Sequence, residues 1–223
     1  MTAGSKEKDD VTRRLAGYSL NLGDGWLLVP GELDDVDAWS RRTAAELVES
    51  NPSLPESAPV LAEPADPVAS LARRLGEVVA AASGTGIDAL SVAVLVRRPA
   101  LGDVDAMLTV VGQAGLSAER FAADLERVVA DSDDPPYLFA QEIDATVPAG
   151  AVRGAYLMIG HVDPDLGEGV AHLEERVSLG VFPEGSPDML EVTVIANGSG
   201  AFVDMPQAVV ELLAGLTVEL VAA

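Results

Sequence analysis

The chain reads as an α+β protein in which an antiparallel β-sheet meander is flanked by helices. Three observations predict this. Four long segments rich in β-formers, 137–147, 152–162, 170–182 and 189–196, follow one another with short connections of Gly, Pro and Asp. Such spacing marks antiparallel neighbours. Upstream, three stretches repeat apolar residues at helical spacing. Helices and strands fall into separate runs rather than strict alternation, which is the α+β pattern.

Taken in order, residues 1–15 are polar, mixed in charge and expected to form a flexible tail. Residues 18–22 alternate apolar and polar, Gly23-Asp24-Gly25 signals a turn, and 26–29 is a short apolar run closed by Pro30. The unit reads as an opening β-hairpin. Asp34 or Asp35 is placed to cap a helix to about Ser50, with Val36, Trp39, Thr43 and Leu47 on one stripe. Residues 51–66 carry four prolines, three acids and no base, and form the best linker candidate. We read them as an acidic loop inside a single domain spanning 16–223.

Asp66-Pro67 opens the next helix, with Asp as N-cap and Pro at the first helical position. Its stripe is Val68, Leu71, Leu75, Val78, Val79 and Ala82. Two apolar strands follow at 89–97 and 106–111, the first nearly continuous, as expected when both faces are covered. Ser117 caps a helix bearing Phe121, Leu125, Val128 and Val129, which ends in the acidic and proline-rich 131–136. After the meander, Asp204 and Gln207 stand at capping-box spacing, Gly215 suits a C-cap, and 217–221 is a last short strand.

Composition narrows the function. The chain has 223 residues, with 14 Lys+Arg against 36 Asp+Glu, for a formal charge of −22. Nucleic-acid binding rests on cations that neutralise phosphates, so it is excluded as the main activity. An anionic membrane surface is disfavoured for the same reason. There is no cysteine, which excludes a thiol nucleophile, a thiolate metal site and a disulfide scaffold. The charged beginning has no apolar signal-peptide core, and the longest apolar run falls far short of the roughly 20 residues a membrane helix needs. A cytoplasmic location is expected. Arginine far outnumbers lysine and alanine is abundant, which suggests a GC-rich, actinobacterial genome.

Candidate chemistry is sparse. Both histidines lie in one segment, His161 and His172, with Asp163, Asp165 and Glu168 between them. Imidazole and carboxylate together can bind zinc or another divalent metal, so His161, Asp163, Asp165 and His172 are the metal-site candidates. The same Asp, Pro and Gly residues are ordinary turn formers, and a solvated hairpin loop is the preferred reading. On the next strand His172, Glu174, Arg176 and Ser178 share one face by period two and are expected to be solvent-exposed. Trp26 and Trp39 are candidates to flank an apolar ligand pocket, with core packing as the simpler use. No phosphate loop and no Gly-x-Ser-x-Gly nucleophile elbow is present. No cofactor is expected.

The opening, with its Gly25-Trp26 step and Val29-Pro30, resembles the start of PsbP-like domains. That family includes photosystem extrinsic subunits and LpqN-type actinobacterial lipoproteins. Its members also end with a helix leading into a short strand, as 202–221 does here. The resemblance implies an antiparallel sheet flanked by helices and a binding or accessory role, with no shared catalytic set. Exported members carry a signal peptide or a lipobox cysteine, and this chain shows neither. The resemblance therefore implies an intracellular relative.

Three functions follow as expectations. The first is a non-enzymatic interaction or accessory domain for a protein partner, basic in character or a secretion-system component. The second is a binder of a small apolar ligand between sheet and helices. The third is a metal-dependent hydrolase using 161–172.

Overall fold

The computed structural model describes residues 13–51, 64–84, 89–131, 137–162, 170–198 and 200–223. Nine strands and four helices are assigned among them: β1 (Arg13–Leu20), β2 (Trp26–Val29), α1 (Val36–Ser50), α2 (Pro67–Gly84), β3 (Ala89–Leu95), β4 (Ala106–Ala114), α3 (Ala118–Asp131), β5 (Tyr137–Val147), β6 (Gly150–Val162), β7 (Val170–Phe182), β8 (Asp188–Asn197), α4 (Met205–Leu213) and β9 (Leu216–Ala222). The α+β class, with a sheet flanked by helices, is what the chain adopts.

A seven-stranded sheet runs β2-β3-β4-β8-β7-β6-β5, and a separate two-stranded ribbon pairs β1 with β9. Every pairing is antiparallel. The predicted meander is therefore the β5-to-β8 half of the sheet. The β5–β6 connection is tight and depends on Gly150 at φ 147°. A Cβ there would sit 2.1 Å from the Phe182 carbonyl oxygen, so no other residue fits.

The opening hairpin does not form. β1 pairs with β9 over seven positions, from Arg13 with Ala222 to Leu20 with Leu216, while β2 pairs with β3. A local hairpin would have matched only the four residues of β2. Each segment instead finds a longer partner far along the chain. Gly25, at φ 82°, turns the chain between the two layers.

One face of the sheet carries the main core. Leu95, Leu108, Val177, Leu179, Val192 and Val194 are fully or almost fully buried there, beneath Met205, Val209 and Leu213 of α4. Leu15, Tyr18, Leu20 and Val218 of the β1–β9 ribbon complete that cover. The other face is covered in two parts. Trp39 and Ala44 of α1 and Leu71 and Leu75 of α2 pack on Val29, Val94 and Val96 at the β2 end. Toward the other end α3 lies across β6, with Phe121 edge-to-face on Phe182 at 6.1 Å.

Capping follows the sequence signals. Asp35, Asp66, Ser117 and Asp204 each accept a backbone N–H from the first turn of α1, α2, α3 and α4. The predicted box on α4 is half made, because the Gln207 amide turns to Glu211 rather than back to the cap. Gly215 is not the left-handed C-cap expected of it. Ala214 ends α4 in right-handed helical geometry and Gly215 is absent from the positive-φ glycines. A Cβ there would lie 3.4 Å from Asn21 Cβ, an ordinary van der Waals contact, so the position does not demand glycine. No helix among the described residues is long and apolar enough to cross a membrane.

Candidate functional site

The two histidines meet. β6 and β7 pair in a register that sets His161 opposite His172, and their rings stack at 4.3 Å with an interplanar angle of 6°. His161 Nε2 lies 2.9 Å from Glu174 Oε2, where the ring N–H donates to the carboxylate. The other Glu174 oxygen accepts from Arg176 Nε at 2.8 Å. The ladder thus runs His172, His161, Glu174, Arg176 along one face of the hairpin.

This arrangement is not a chelate. Imidazole lone pairs lie in the ring plane, so two parallel stacked rings cannot both aim at one ion about 2.0–2.1 Å away. Both Glu174 oxygens are already engaged. Among the described residues no group of three or more His, Asp or Glu is placed to hold a metal ion. Asp163 and Asp165 lie outside the described residues. The expectation that this strand face is simply solvent-exposed needs correction: His172 is exposed, but Glu174 and Ser178 are buried, at 8% and 6% exposure. The reason is that the strand pairs on both sides and the face lies between two helical covers.

Trp26 and Trp39 are not brought together. Trp26 pairs with Leu95 and leans on the main core, whereas Trp39 of α1 is buried in the second cluster, on the opposite face of the sheet. Arg-Arg pairs stand at 13–14, 41–42, 73–74 and 97–98, and several of these arginines make ion pairs: Arg14 with Asp188, Arg73 and Arg74 with Glu77, and Arg98 with Asp105. Arg97 instead donates to the Ala201 carbonyl and lies over the Phe202 ring at 5.1 Å.

Three titratable groups are perturbed inside the fold, and they lie apart. Burial pushes the Tyr156 phenol up, and its bond to Glu175 adds to the shift. The second oxygen of Glu175 is buried with no partner. Burial also raises Glu191, partly opposed by a hydrogen bond from Gln113. Asp188 is held low by the Leu15 N–H at 3.0 Å and by Arg14 at 2.6 Å, both of which favour its charged form. Tyr156 and Glu175 belong to the main core face, while Glu191 is on the opposite face. No pair of them forms an acid–base site.

The feature that stands out is an edge. β5 is the last strand of the sheet, and among the described residues nothing pairs on its outer side. It is eleven residues long, and Leu138 and Phe139 are 54% and 47% exposed. Its only charges are Glu142 and Asp144, both acidic and both exposed. Beside it, between α3 and β5, runs a groove of about 300 Å³ bounded by Ala122, Leu125 and Val129 on the helix and Ala140 and Ala155 on the strands.

The sequence reading missed the edge and the Tyr156–Glu175 pair. The pair had a signal: in β7, Glu175 is the single acid in phase with Val177 and Leu179, the apolar side of the alternation. The edge had none, because a strand's position in a sheet is decided by its non-local partners. No family model matches the chain, and no curated protein matches it.

Proposed function

We propose that the chain is a non-enzymatic accessory domain that binds a protein partner by strand addition to β5. The observation that supports this most is the eleven-residue edge, unpaired among the described residues, with its exposed Leu138 and Phe139. Such an edge presents a row of unpaired N–H and C=O groups, and natural proteins normally shorten, cover or charge it. Strand addition uses those groups for affinity and alternate side chains for specificity.

Charge selects the partner. Two acids and no base on β5, in a chain of net charge −22, repel an identical copy and favour a basic segment. The reading accords with the accessory role implied by the PsbP-like resemblance. The ligand-binding alternative has less support, because the pocket-flanking candidates Trp26 and Trp39 lie on opposite faces of the sheet.

The test is fluorescence anisotropy with a labelled alternating lysine–valine peptide and its glutamate–valine counterpart. The lysine peptide is expected to bind the full chain with affinity that falls with salt, and the glutamate peptide is not. Proline at Ala140 and, separately, at Gln141 removes one outward N–H, since adjacent N–H groups in an edge strand alternate in direction. One of these two variants keeps the fold and loses binding. Equal binding of both peptides, or no effect of either proline in a folded variant, contradicts the proposal.

A further inference from the structure

We infer that the groove between α3 and β5 is the specificity pocket of this docking edge, taking one large apolar side chain of the added strand, with a basic residue two positions away meeting Glu142. This rests on the strand-addition reading above and adds a sequence requirement to it.

The geometry is set by parity. Ala140, Glu142 and Asp144 alternate on β5, and their β6 partners Leu157, Ala155 and Arg153 share that face. This is the face on which α3 lies, and α3 sits across β6, leaving β5 beside it uncovered. An eighth strand would run about 4.8 Å beyond β5, with every second side chain on the same face. One of those side chains stands beside Ala140 at the mouth of the groove. The next on that face stands beside Glu142, because two residues of strand advance both chains alike.

The lining explains the size of the occupant. Ala122, Ala140 and Ala155 are small, and they leave space that Leu125 and Val129 wall with apolar surface. About 300 Å³ is the lower limit for a small-molecule site. It suits a single leucine, methionine or phenylalanine side chain anchored by a neighbouring backbone. The rim supplies the second requirement. Glu126 and Glu142 line the groove and are exposed. No hydrogen bond or ion pair recorded among the described residues engages either carboxylate with a base, whereas Asp144 is held by Arg153. The occupant is therefore a segment of a basic partner reading large-apolar, any residue, Lys or Arg, in one strand direction or the other. A second copy does not fit that description at β5, which would bring its own acids against Glu142.

The experiment uses the full chain and three labelled extended peptides of one backbone: leucine at the pocket position with lysine two residues on, leucine replaced by glycine, and lysine replaced by glutamate. The leucine–lysine peptide is expected to bind at least tenfold more tightly than either relative. Ala155→Phe fills the groove and is expected to reduce its affinity about tenfold while leaving the glycine peptide unchanged. Ala122→Phe fills the groove from the helix side and serves if Ala155→Phe fails to fold by circular dichroism. If leucine, glycine and both filled variants give equal affinity while a folded proline variant of β5 abolishes binding, strand addition stands and the pocket is refuted. If no peptide binds at all, both fall. If sedimentation shows the chain self-associating and Ala155→Phe abolishes that association, the occupant is a second copy and the basic segment is overturned.

Discussion

The two ends of the seven-stranded sheet are built on different terms. The β2 end is four residues long, stops at Pro30 and is backed by α1 and α2, which bury Val29 and Trp39. The β5 end is eleven residues long, mostly exposed, with its helix displaced onto β6. A short strand with a proline beyond it offers little to pair with, and its side chains serve the core except for the exposed Leu28. A long strand with exposed Leu138 and Phe139, anchored to the main core through Ile143 and Val147, leaves the outer backbone groups unpaired among the described residues. The contrast separates a structural edge from the proposed binding edge.

The largest expected effect breaks the contrast from the β2 side. Trp39→Ala should cost about 3–5 kcal/mol in urea unfolding, as for large aromatics removed from a core. At the other end Phe139→Ala should cost no more than about 1 kcal/mol, essentially its edge-to-face contact with Tyr156. Similar costs at the two positions would remove the distinction.

A middle-sized effect concerns the interior next to β5. Tyr156→Phe takes away the one hydrogen bond made to the buried Glu175 carboxylate among the described residues and should cost about 1–3 kcal/mol. Glu175→Leu, which removes the buried acid, should cost less than Tyr156→Phe. The reverse order would show that Glu175 is satisfied by something other than Tyr156.

Smaller effects come from pH, and they have opposite signs. Asp188 is depressed in the folded chain, so its contribution is present above the ordinary aspartate range and is lost as pH falls through its folded pKa. Acid should therefore weaken the tie between β1 and β8 first, and Asp188→Asn should flatten that part of the stability curve. Glu191 is raised, so its contribution is present below the ordinary glutamate range and is lost as pH rises through its folded pKa. Glu191→Gln should accordingly be neutral or slightly stabilising at pH 7 and lose that advantage in acid. Thermal unfolding measured between pH 3 and 8 reads both signs.

How much of this was legible beforehand differs by kind of interaction. Helices announced themselves through local chemistry: Asp35, Asp66, Ser117 and Asp204 cap where their spacing predicts. The β5–β8 meander was legible because short turns force neighbours to pair; that logic puts His161 and His172 in one hairpin, and only the register sets them opposite each other. What failed was non-local. Residues 18–29 carry every local sign of a hairpin, yet β1 found β9 near the other end of the chain. The free edge was invisible for the same reason, since Tyr137–Val147 reads like any half-buried strand until its neighbours are known. The site chemistry was half legible. The histidine pair was found, but ring stacking and the claims of Glu174 and Arg176 depend on rotamers that spacing does not encode.

The most direct measurement is amide hydrogen exchange on the full chain, with and without the alternating lysine–valine peptide. The account predicts slowed exchange in Tyr137–Val147, with Trp26–Val29 unchanged. Protection at β2 instead, or none at β5 under conditions where the peptide is bound, would contradict it.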